Sequence, residues 1–383
     1  MMQRVVPSRI EEAREARALS MADLAKSIGV TRQAISKYER GLNSPQPATL
    51  KAISLYLDFP IEFFYKPEEA SFSSNSALFF RSNSTTPKKV KEACKYQIKW
   101  ADEIKTQISQ YVDFLPCNIP TIDENYEDLT LEDVENLALD IRHNWGLGDE
   151  PITDLIGVLE NQGIIVAQFS VSDSCDYKGV DAFSAWKNGT PYMLYHSVEK
   201  SAVRTRFGLL HELGHLVMHS SIASDEAIKR SVVDFADDQA NRFAAAFLLP
   251  RTTFPAEIHG SSLTALQYLK EKWGVAMSTI IRRCEDLKLL SENQLNYLRR
   301  QMTAKGYWRR EPLDDVLTVH GPEILRDSII MLVENRIISK ESFIHKASLS
   351  INDLKSICQL PDSFFADTVS RQKPVLRILP QIQ

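Results

Sequence analysis

Two histidines and a glutamate stand at a spacing that suits metal-dependent hydrolysis, within the run RFGLLHELGHLVMH. His211 and His215 are four residues apart. On a helix of 3.6 residues per turn both imidazoles therefore lie on one face and can reach one metal ion. Glu212 projects beside that face, where a metal-activated water would lie. This is the H-E-x-x-H pattern, in which the histidines bind Zn2+ and the glutamate is the general base.

The surroundings of this pattern indicate a buried helix. Apolar residues flank it on nearly every side, namely Phe207, Leu209, Leu210, Leu213, Leu216, Val217 and Met218. Buried His and Glu side chains without partners are strongly unfavourable. A metal ion supplies that partner, whereas a solvated helix with two chance histidines would need none. We therefore predict a metal site, with Zn2+ as the expected cofactor and Mn2+ as the alternative.

A catalytic zinc site needs a third protein ligand and an open fourth position. The run VVDFADDQANRFAAAFLLP is typical of a second helix, and it offers Asp234, Asp237 and Asp238. His219 lies on the same face as the two histidines, but about 12 Å along the axis from His211, which is too far for one ion. We expect His219 to have a supporting or helix-terminal role.

Composition limits the class of protein that carries these residues. The chain has 383 residues, enough for two or three domains, and its 44% hydrophobic and 25% charged content is ordinary for a globular protein. The five cysteines are scattered and lack C-x-x-C spacing, which indicates reduced thiols. The chain has neither an apolar signal core nor a run of the roughly 20 apolar residues that span a membrane. We expect a soluble, cytoplasmic protein with no membrane partner.

Residues 8–66 read as five short helices. Ser20 is a candidate N-cap for Met21–Ile28, Gly29 is a C-cap signal, and Thr31 caps the next helix. In the fourth helix the apolar positions are Leu50, Ile53, Leu55 and Leu57. Two short helices joined by a tight turn that contains Gly, the second rich in polar side chains, form a helix-turn-helix.

The phrase LSMADLAKSIGVTRQAISKYERGLNSPQPATLKAIS closely resembles the XRE (Cro-like repressor) family of DNA-binding domains. The positions at the family's spacing are Leu24-Ala25, Gly29-Val30, Ile35, Tyr38-Glu39 and Gly41. The resemblance implies that the exposed face of the recognition helix carries Thr31, Arg32, Gln33, Ser36 and Lys37. Arg32 and Gln33 suit contacts with base edges. Lys37 and, at the end of the same helix, Arg40 suit contacts with phosphates. We expect DNA as a partner; a helical module used for dimerisation or partner binding is the alternative.

Residues 67–115 read as a linker and a connecting helix. The stretch from Pro67 to Pro87 is rich in Ser and Asn, yet Leu78-Phe79-Phe80-Arg81 predicts a short strand or a docked segment within it. From Lys88 to Leu115, apolar residues recur three and four apart, which predicts one helix between the domains with its lysines on a solvated face.

Residues 116–300 read as the metal domain. The sequence predicts a helix over Ile152–Gly163, a strand over Ile164–Phe169 and a hairpin around Asn188-Gly189. One hairpin strand is expected to be an edge strand beside the metal helix, where zinc peptidases hold extended substrates as an added strand. Arg204 and Arg206 are interpreted as ion-paired supports or as substrate clamps.

The tail, residues 305–383, is predicted to form helices that cover the protease core. These helices are expected at Pro322–Asn335, Lys340–Ala347 and Ile351–Cys358, with prolines from Pro361 onward breaking up the end. The expected fold class is mainly α with a small β-sheet (α+β): an N-terminal five-helix domain, the metal domain and a helical C-terminal region.

The match DxxANRFAAAFLLP resembles the E-x-x-A-N-x-F-A-x-x-L-L-x-P signature of the ImmA/IrrE metallopeptidase family. With FSxW, RxRFxxxHELGHLVMH and the XRE-like module, the resemblance covers most of residues 1–310. It implies a zincin-like domain with Asp237 as the third metal ligand. The family usually has Glu there, and Asp is shorter by one methylene, about 1.5 Å. Either the second helix sits closer, or the metal is bound more weakly.

The resemblance also implies a substrate class, because family members act on transcriptional repressors or antitoxins. We expect a DNA-binding zinc-dependent endopeptidase that cleaves a repressor or similar regulatory protein in a stress or mobile-element response. The alternative is a helix-turn-helix transcriptional regulator or antitoxin-like protein whose metal domain senses or binds a partner without proteolysis. Beyond DNA and the protein substrate, a homodimer is the further expected partner.

Overall fold

The computed structural model describes residues 4–67, 79–80, 87–120, 122, 125–169, 180–196, 201–220, 222 and 230–370. Helices make up most of this part, and they accompany one small sheet, so the predicted fold class is confirmed. The α-helices are α1 (Pro7–Ala16), α2 (Met21–Ile28), α3 (Arg32–Glu39), α4 (Pro47–Leu57), α5 (Lys88–Ile108), α6 (Leu131–Asn144), α7 (Leu155–Asn161), α8 (Ala202–Met218), α9 (Arg230–Leu248), α10 (Leu263–Trp273), α11 (Met277–Asp286), α12 (Glu292–Lys305), α13 (Ile324–Glu334), α14 (Lys340–Ala347), α15 (Ile351–Cys358) and α16 (Asp362–Ser370). The strands are β1 (Phe79–Phe80), β2 (Ile165–Phe169), β3 (Ala182–Lys187) and β4 (Thr190–His196).

The N-terminal unit consists of α1 to α4 and a 3-10 helix over Ile61–Tyr65, as the five-helix prediction required. Ser20 forms a capping box with Asp23 at the start of α2, and Gly29 ends that helix at a φ of 72°. One prediction within this unit is wrong, since Leu55 is 72% exposed. The buried face of α4 carries Leu50, Ile53, Ser54 and Leu57. These residues follow the three-and-four spacing of one helical face, and Leu55 lies off that face.

Helix α5 is shorter and more deeply buried than the predicted connecting helix. It ends at Ile108 rather than Leu115, because the chain turns after Ser109, which bonds back to the carbonyl of Lys105. Lys99 does not lie on a solvated face, since its Nζ is 2.7 Å from Glu12 of α1. Trp100, fully buried, donates from Nε1 to the same carboxylate at 2.8 Å. Helix α5 therefore packs as part of the core that contains α1.

The sheet has the strand order β1-β3-β4-β2. β3 and β4 form the predicted hairpin, with Asn188 and Gly189 both at positive φ as a two-residue hairpin turn requires. β2 runs parallel to β4, and β1 pairs antiparallel with β3. β1 lies within the apolar segment for which a short strand or docked segment was predicted.

The two faces of the sheet belong to different cores, because successive side chains of a strand point in opposite directions. One face packs with the helix-turn-helix unit, α5 and the tail; its residues are Ile165, Ala167, Phe169, Phe183, Ala185, Tyr192 and Leu194. The other face packs with the helices from α6 to α12; its residues are Val166, Ala182, Met193 and Tyr195. The sheet thus separates the helix-turn-helix side of the molecule from the metal-binding pattern.

Helix α7 is also shorter than predicted. It begins at Leu155 instead of Ile152, because the Asp154 carboxylate accepts the N–H of Gly157 at 3.1 Å and so caps the helix. Its residue Glu160 accepts the backbone N–H groups of Glu323 and Ile324 at the start of α13. Burial raises the pKa of Glu160 to about 7.

The described part of the tail covers the predicted protease core at β2 and at Glu160 of α7, and it also packs on the helix-turn-helix side. Helices α13, α14 and α15 contact α5, and α15 also packs on β2, so the tail belongs to the core on the helix-turn-helix side. Arg17, which follows the last residue of α1, donates to both carboxylate oxygens of Asp353, at 3.1 and 2.7 Å. Its guanidinium lies 4.4 Å from the centre of the Phe59 ring. Pro361 separates α15 from α16, as predicted for a helix breaker, and Pro374 and Pro380 lie outside the described residues. Proline is tolerated just before or within the first turn of a helix.

Two further expectations concern thiols and membranes. Cys94, Cys117, Cys284 and Cys358 are unpaired thiols, and Cys175 lies outside the described residues. Among the helices that the structure describes, none has the length and apolarity needed to cross a membrane.

We expect Arg17→Ala to lower the free energy of unfolding by about 3–5 kcal/mol, because it leaves the Asp353 carboxylate buried without its charge partner. Urea denaturation of the full chain measures this change. The control is Arg310→Ala, which removes an exposed ion pair with Asp315 and should leave the unfolding midpoint where it is. Equal midpoints for Arg17→Ala and the parent would contradict the prediction.

Candidate metal centre

The H-E-x-x-H residues lie on α8, which is placed between the sheet and α9. His211, Glu212 and His215 are at most 2% exposed. Helix α8 packs on β3 on one side and on α9 on the other. This arrangement places two histidines, a glutamate and the first half of α9 around one small volume.

The structure brings His211, His215 and Asp237 together as a potential metal-binding group. The two Nε2 atoms are 3.0 Å apart, and Asp237 Oδ1 lies 3.4 Å from His215 Nε2 and 3.8 Å from His211 Nε2. A tetrahedral Zn2+ with ligand bonds of about 2.0–2.2 Å separates its ligand atoms by about 3.3–3.6 Å. The donor set and its spacing therefore fit a zinc ion.

The hydrogen bonds behind the histidines determine which nitrogen faces this volume. His211 Nδ1 lies 3.0 Å from Asn241 Oδ1, an acceptor, so Nδ1 carries the proton and Nε2 the lone pair. Asn241, which follows Ala240 on α9, thus supplies the hydrogen-bond acceptor that a zinc-binding histidine needs behind its ring.

His215 is oriented by a longer chain of hydrogen bonds. The Gln239 amide donates from Nε2 to the carbonyls of Tyr126 and Leu129, so its Oε1 accepts from His219 Nε2 at 2.9 Å. His219 Nδ1 then carries a lone pair, and His215 Nδ1 donates to it at 2.9 Å. His215 Nε2 is left as an acceptor that faces His211 and Asp237. This contact agrees with the supporting role expected for His219.

Both members of this pair are held as neutral imidazoles. Burial lowers the pKa of His215, although Asp237 acts in the opposite direction. Burial and the neighbouring His215 lower the pKa of His219 to about 3, against a smaller opposing effect of the bond to Gln239. A neutral imidazole is the form that binds a metal.

A residue of the sheet holds the Glu212 side chain in place. The hydroxyl of Ser184 on β3 donates to Glu212 Oε2 at 2.7 Å. Two residues on, Trp186 donates from Nε1 to the carbonyl of Leu216 at 3.1 Å. Residues two apart on a strand point to the same side, so the FSxW run places both contacts against α8 and keeps the glutamate beside the histidines.

The short side chain of Asp237 is accommodated by a close approach of the two helices. A Cβ on Gly214 would lie 3.2 Å from Ala240 Cα and 3.3 Å from the Phe243 ring, so α9 could not come this near to any larger residue. Asp237 lies one turn before Ala240 and reaches both histidines. Of the other two candidates, Asp234 is exposed beside Arg230, and Asp238 is exposed; neither belongs to the group.

Arg204 and Arg206 donate to backbone carbonyls, which agrees with the interpretation of them as structural supports. Arg206 is buried and donates to the carbonyls of Ile152 and Thr153 at 2.5 and 3.2 Å, and burial lowers its pKa to about 10. Arg204 donates to the carbonyls of Trp308 and Arg309. Each arginine fastens a loop to the start of α8.

The candidate DNA-binding residues lie on one surface of α3. Thr31, Arg32, Gln33, Lys37 and Arg40 are exposed, and Ser36 is half-buried. The Thr31 side chain accepts the N–H of Ala34 and so caps the helix. On the opposite side Ile35 is buried and Glu39 forms an ion pair with Arg14 at 2.6 Å. The basic side chains are therefore left on the outer face.

Two known families match separate parts of the chain. Residues 10–64 match the family described as helix-turn-helix, and residues 171–285 match the IrrE N-terminal-like domain. A relative from Rhodospirillum rubrum, named as an uncharacterized transcriptional regulator in the ATPase CF(0) region, is 35% identical over 83 residues, which are 22% of this chain and 77% of that protein. Uncharacterized HTH-type transcriptional regulators of Sinorhizobium medicae (strain WSM419) and Rhizobium meliloti (strain 1021) are each 39% identical over 61 residues, 16% of this chain and 44% of each relative.

These similarities place the chain in a family. It belongs to the transcriptional regulators with an N-terminal XRE-type helix-turn-helix, and it also carries an IrrE/ImmA-like peptidase domain. The helix-turn-helix domain makes DNA a partner of this protein. The chain spans less than half the length of the Sinorhizobium medicae and Rhizobium meliloti relatives.

Several residues that contact the metal-binding group or Glu212 had no role assigned from the sequence alone. Ser184 was included only as part of FSxW, and its contact with Glu212 requires β3 to lie against α8. Gln239 and Asn241 lie inside the run that resembles the family signature, but their orientation toward the histidines depends on the crossing of α8 and α9. The motifs that contain these residues were the sequence signal of their importance. Their contacts with the site could not be predicted, because they depend on how distant parts of the chain pack together.

We expect His219→Ala to lower the affinity of the site for Zn2+ by about 10- to 100-fold, because His215 Nδ1 loses the acceptor that orients its ring. Competition with a chromophoric chelator measures the affinity, and thermal melting checks that the variant is folded. His143→Ala is the matched control, since His143 is exposed and contacts Asp149 away from the site. An unchanged zinc affinity in His219→Ala would show that the contact is not needed.

Proposed function

We propose that this chain is a DNA-binding, zinc-dependent endopeptidase that cleaves a transcriptional repressor or a similar regulatory protein in a stress or mobile-element response. The observation that carries the proposal is the position of Glu212. It is fully buried, lies on the same helix as His211 and His215, and is oriented by Ser184. A carboxylate beside three metal-binding atoms is the arrangement that hydrolysis of a peptide bond requires.

His211, His215 and Asp237 would hold the metal ion, Zn2+ or alternatively Mn2+. A bound ion would supply a Lewis acid that polarises the scissile carbonyl and acidifies water. Asn241 and His219 keep the two imidazoles in the tautomer that presents Nε2. The short approach at Gly214 lets Asp237 reach the same volume.

Glu212 would be the general base and then the general acid. Its carboxylate accepts a proton from the attacking water and delivers that proton to the leaving amine. The Ser184 hydroxyl, which donates to Oε2, would keep the carboxylate in place during both transfers. Because α8 is packed between β3 and α9, this carboxylate has little freedom to turn away.

We expect Glu212→Gln to reduce cleavage by at least about 100-fold while leaving zinc bound, because it removes the proton acceptor and retains the metal ligands. The assay incubates pure protein and Zn2+ with the repressor encoded beside this gene and follows fragments by gel and mass spectrometry. Glu132→Gln, a change at an exposed residue, is the control. Equal cleavage by Glu212→Gln and the parent, or an intact repressor with both, would refute the proposal.

A second function is favoured by one specific observation. The side chain of Asp237 is 28% exposed, whereas the His211 and His215 side chains are 3% exposed, so water competes with a metal ion for this carboxylate. The chain would then be a helix-turn-helix regulator or antitoxin-like protein whose metal domain senses or binds a partner without proteolysis. Operator binding that survives His211→Ala, with no cleavage of a co-encoded protein, would select this function.

The proposed DNA contacts give a separate prediction. We expect Arg32→Ala to weaken binding to DNA from upstream of this gene by about 1–3 kcal/mol, because a side chain placed at a base edge is lost. Lys37→Ala should instead reduce the salt dependence of binding, as loss of a phosphate contact does. Gel-shift titration at several salt concentrations measures both effects. Arg310→Ala, at an exposed position in another part of the chain, should bind like the parent; similar affinities for all four proteins would place the DNA surface elsewhere.

A further inference from the structure

The side of β3 that faces away from β4 lies next to the candidate metal centre. β3 pairs with β4 along one side, and its Ser184 and Trp186 side chains contact α8 at Glu212 and Leu216. A strand that added to the other side of β3 would therefore run past the catalytic carboxylate. Such an edge offers unpaired backbone groups to any extended peptide.

In this structure β1, a strand of the same chain, already occupies that side of β3. β1 pairs antiparallel with β3, with Phe79 opposite Ser184 and Phe80 opposite Phe183. β1 also contacts α8. The backbone of Phe79 thus lies one strand spacing, about 4.8 Å, from the strand residue whose hydroxyl holds Glu212.

The connection between the two domains does not require this pairing. Pro67 lies beside α5 near Glu103, since Arg9 donates to the Pro67 carbonyl at 3.1 Å and lies 3.6 Å from the Glu103 carboxylate. From Glu103 to Lys88 is about 22 Å along the helix, which an extended chain of about seven residues spans. Residues 68–86 provide more than twice that number, so the length of the connection does not impose the pairing of β1 with β3.

We propose that the β3 edge is the peptide-binding strand of the metal centre and that the backbone of Phe79–Phe80 occupies it in cis, as an intramolecular pseudosubstrate. This inference rests on the proposed function for the role of the site, and it adds how access to that site is regulated. A substrate must replace β1 before it can pair with β3. Pairing of this kind uses backbone groups, so the substrate class is an extended or flexible segment of a protein rather than a folded surface.

Proline substitutions distinguish the residue of β1 that forms hydrogen bonds with β3 from the residue that faces away. In an antiparallel pair, consecutive residues alternately direct their N–H and C=O groups toward and away from the partner strand. One of Phe79→Pro and Phe80→Pro therefore removes a ladder hydrogen bond, and the other changes a residue that faces away. Each variant is the matched control for the other, and unchanged zinc content and thermal melting show that each is folded.

The test measures peptide binding to the full-length chain with zinc, in a Glu212→Gln background that prevents turnover. The probe is a fluorescent peptide that copies residues 75–84, and anisotropy gives its affinity. We expect one proline variant to bind the peptide about two- to tenfold more tightly than the Glu212→Gln parent, the factor that corresponds to one hydrogen bond. The same affinity in all three proteins, or no binding to any, would overturn the proposal.

Two further measurements distinguish this inference from the proposed function. With Glu212 restored, cleavage of the peptide that does not increase in either proline variant would leave the peptidase proposal standing and reject the cis occupancy. Tighter peptide binding without any cleavage would support the occupied edge and reject the peptidase.

In the unmodified chain, an excess of an isotope-labelled copy of the peptide should increase hydrogen exchange at Phe79–Phe80. Unchanged exchange there would count against displacement of β1 by the peptide.

Discussion

Two imidazole nitrogens that face each other at 3.0 Å set the main constraint on this structure. Each ring is oriented from behind, His211 by Asn241 and His215 by His219, so both lone pairs point into the same small volume. Lone pairs at that distance repel unless a cation lies near both. The hydrogen-bond chain through His219 and Gln239 to the backbone before α6 keeps the rings from turning away. Buried polar networks of this kind are favourable only when every member has its partner.

The close contact of α8 and α9 brings the Asp237 carboxylate to the two histidines. Gly214 has no side chain at the point where Ala240 approaches, and Asp237 therefore reaches the histidines despite its shorter side chain. On the other side of α8, Ser184 and Trp186 fasten the helix to β3. The site is thus held by a helix crossing and a strand rather than by loops, which favours a fixed geometry.

The helix-turn-helix unit packs closely on the rest of the chain. Arg17 and Asp353 join α1 to the tail, Trp100 and Lys99 of α5 share the Glu12 carboxylate, and one continuous apolar core reaches the outer face of the sheet. Phe183 and Ser184, neighbours on β3, point to opposite faces: one into that core and the other to Glu212. β3 is therefore the strand that contacts both the core of the helix-turn-helix side and the candidate site. The same two residues are those that pair with β1.

The sequence by itself determined the local parts of this protein. Helix periodicity, the caps at Ser20 and Thr31, the Asn188-Gly189 turn and the spacing of His211, Glu212 and His215 depend on residues within a few positions of one another, so pattern and motif were enough to predict them. The resemblance to known families added Asp237 and the division into a DNA-binding and a peptidase-like part. Only the tertiary structure decided that the tail packs with the helix-turn-helix unit, that Leu55 is exposed and that Ser184, Gln239 and Asn241 surround the site. Those contacts join residues far apart in the chain, and their geometry depends on how the helices cross and on which face of the sheet each core fills.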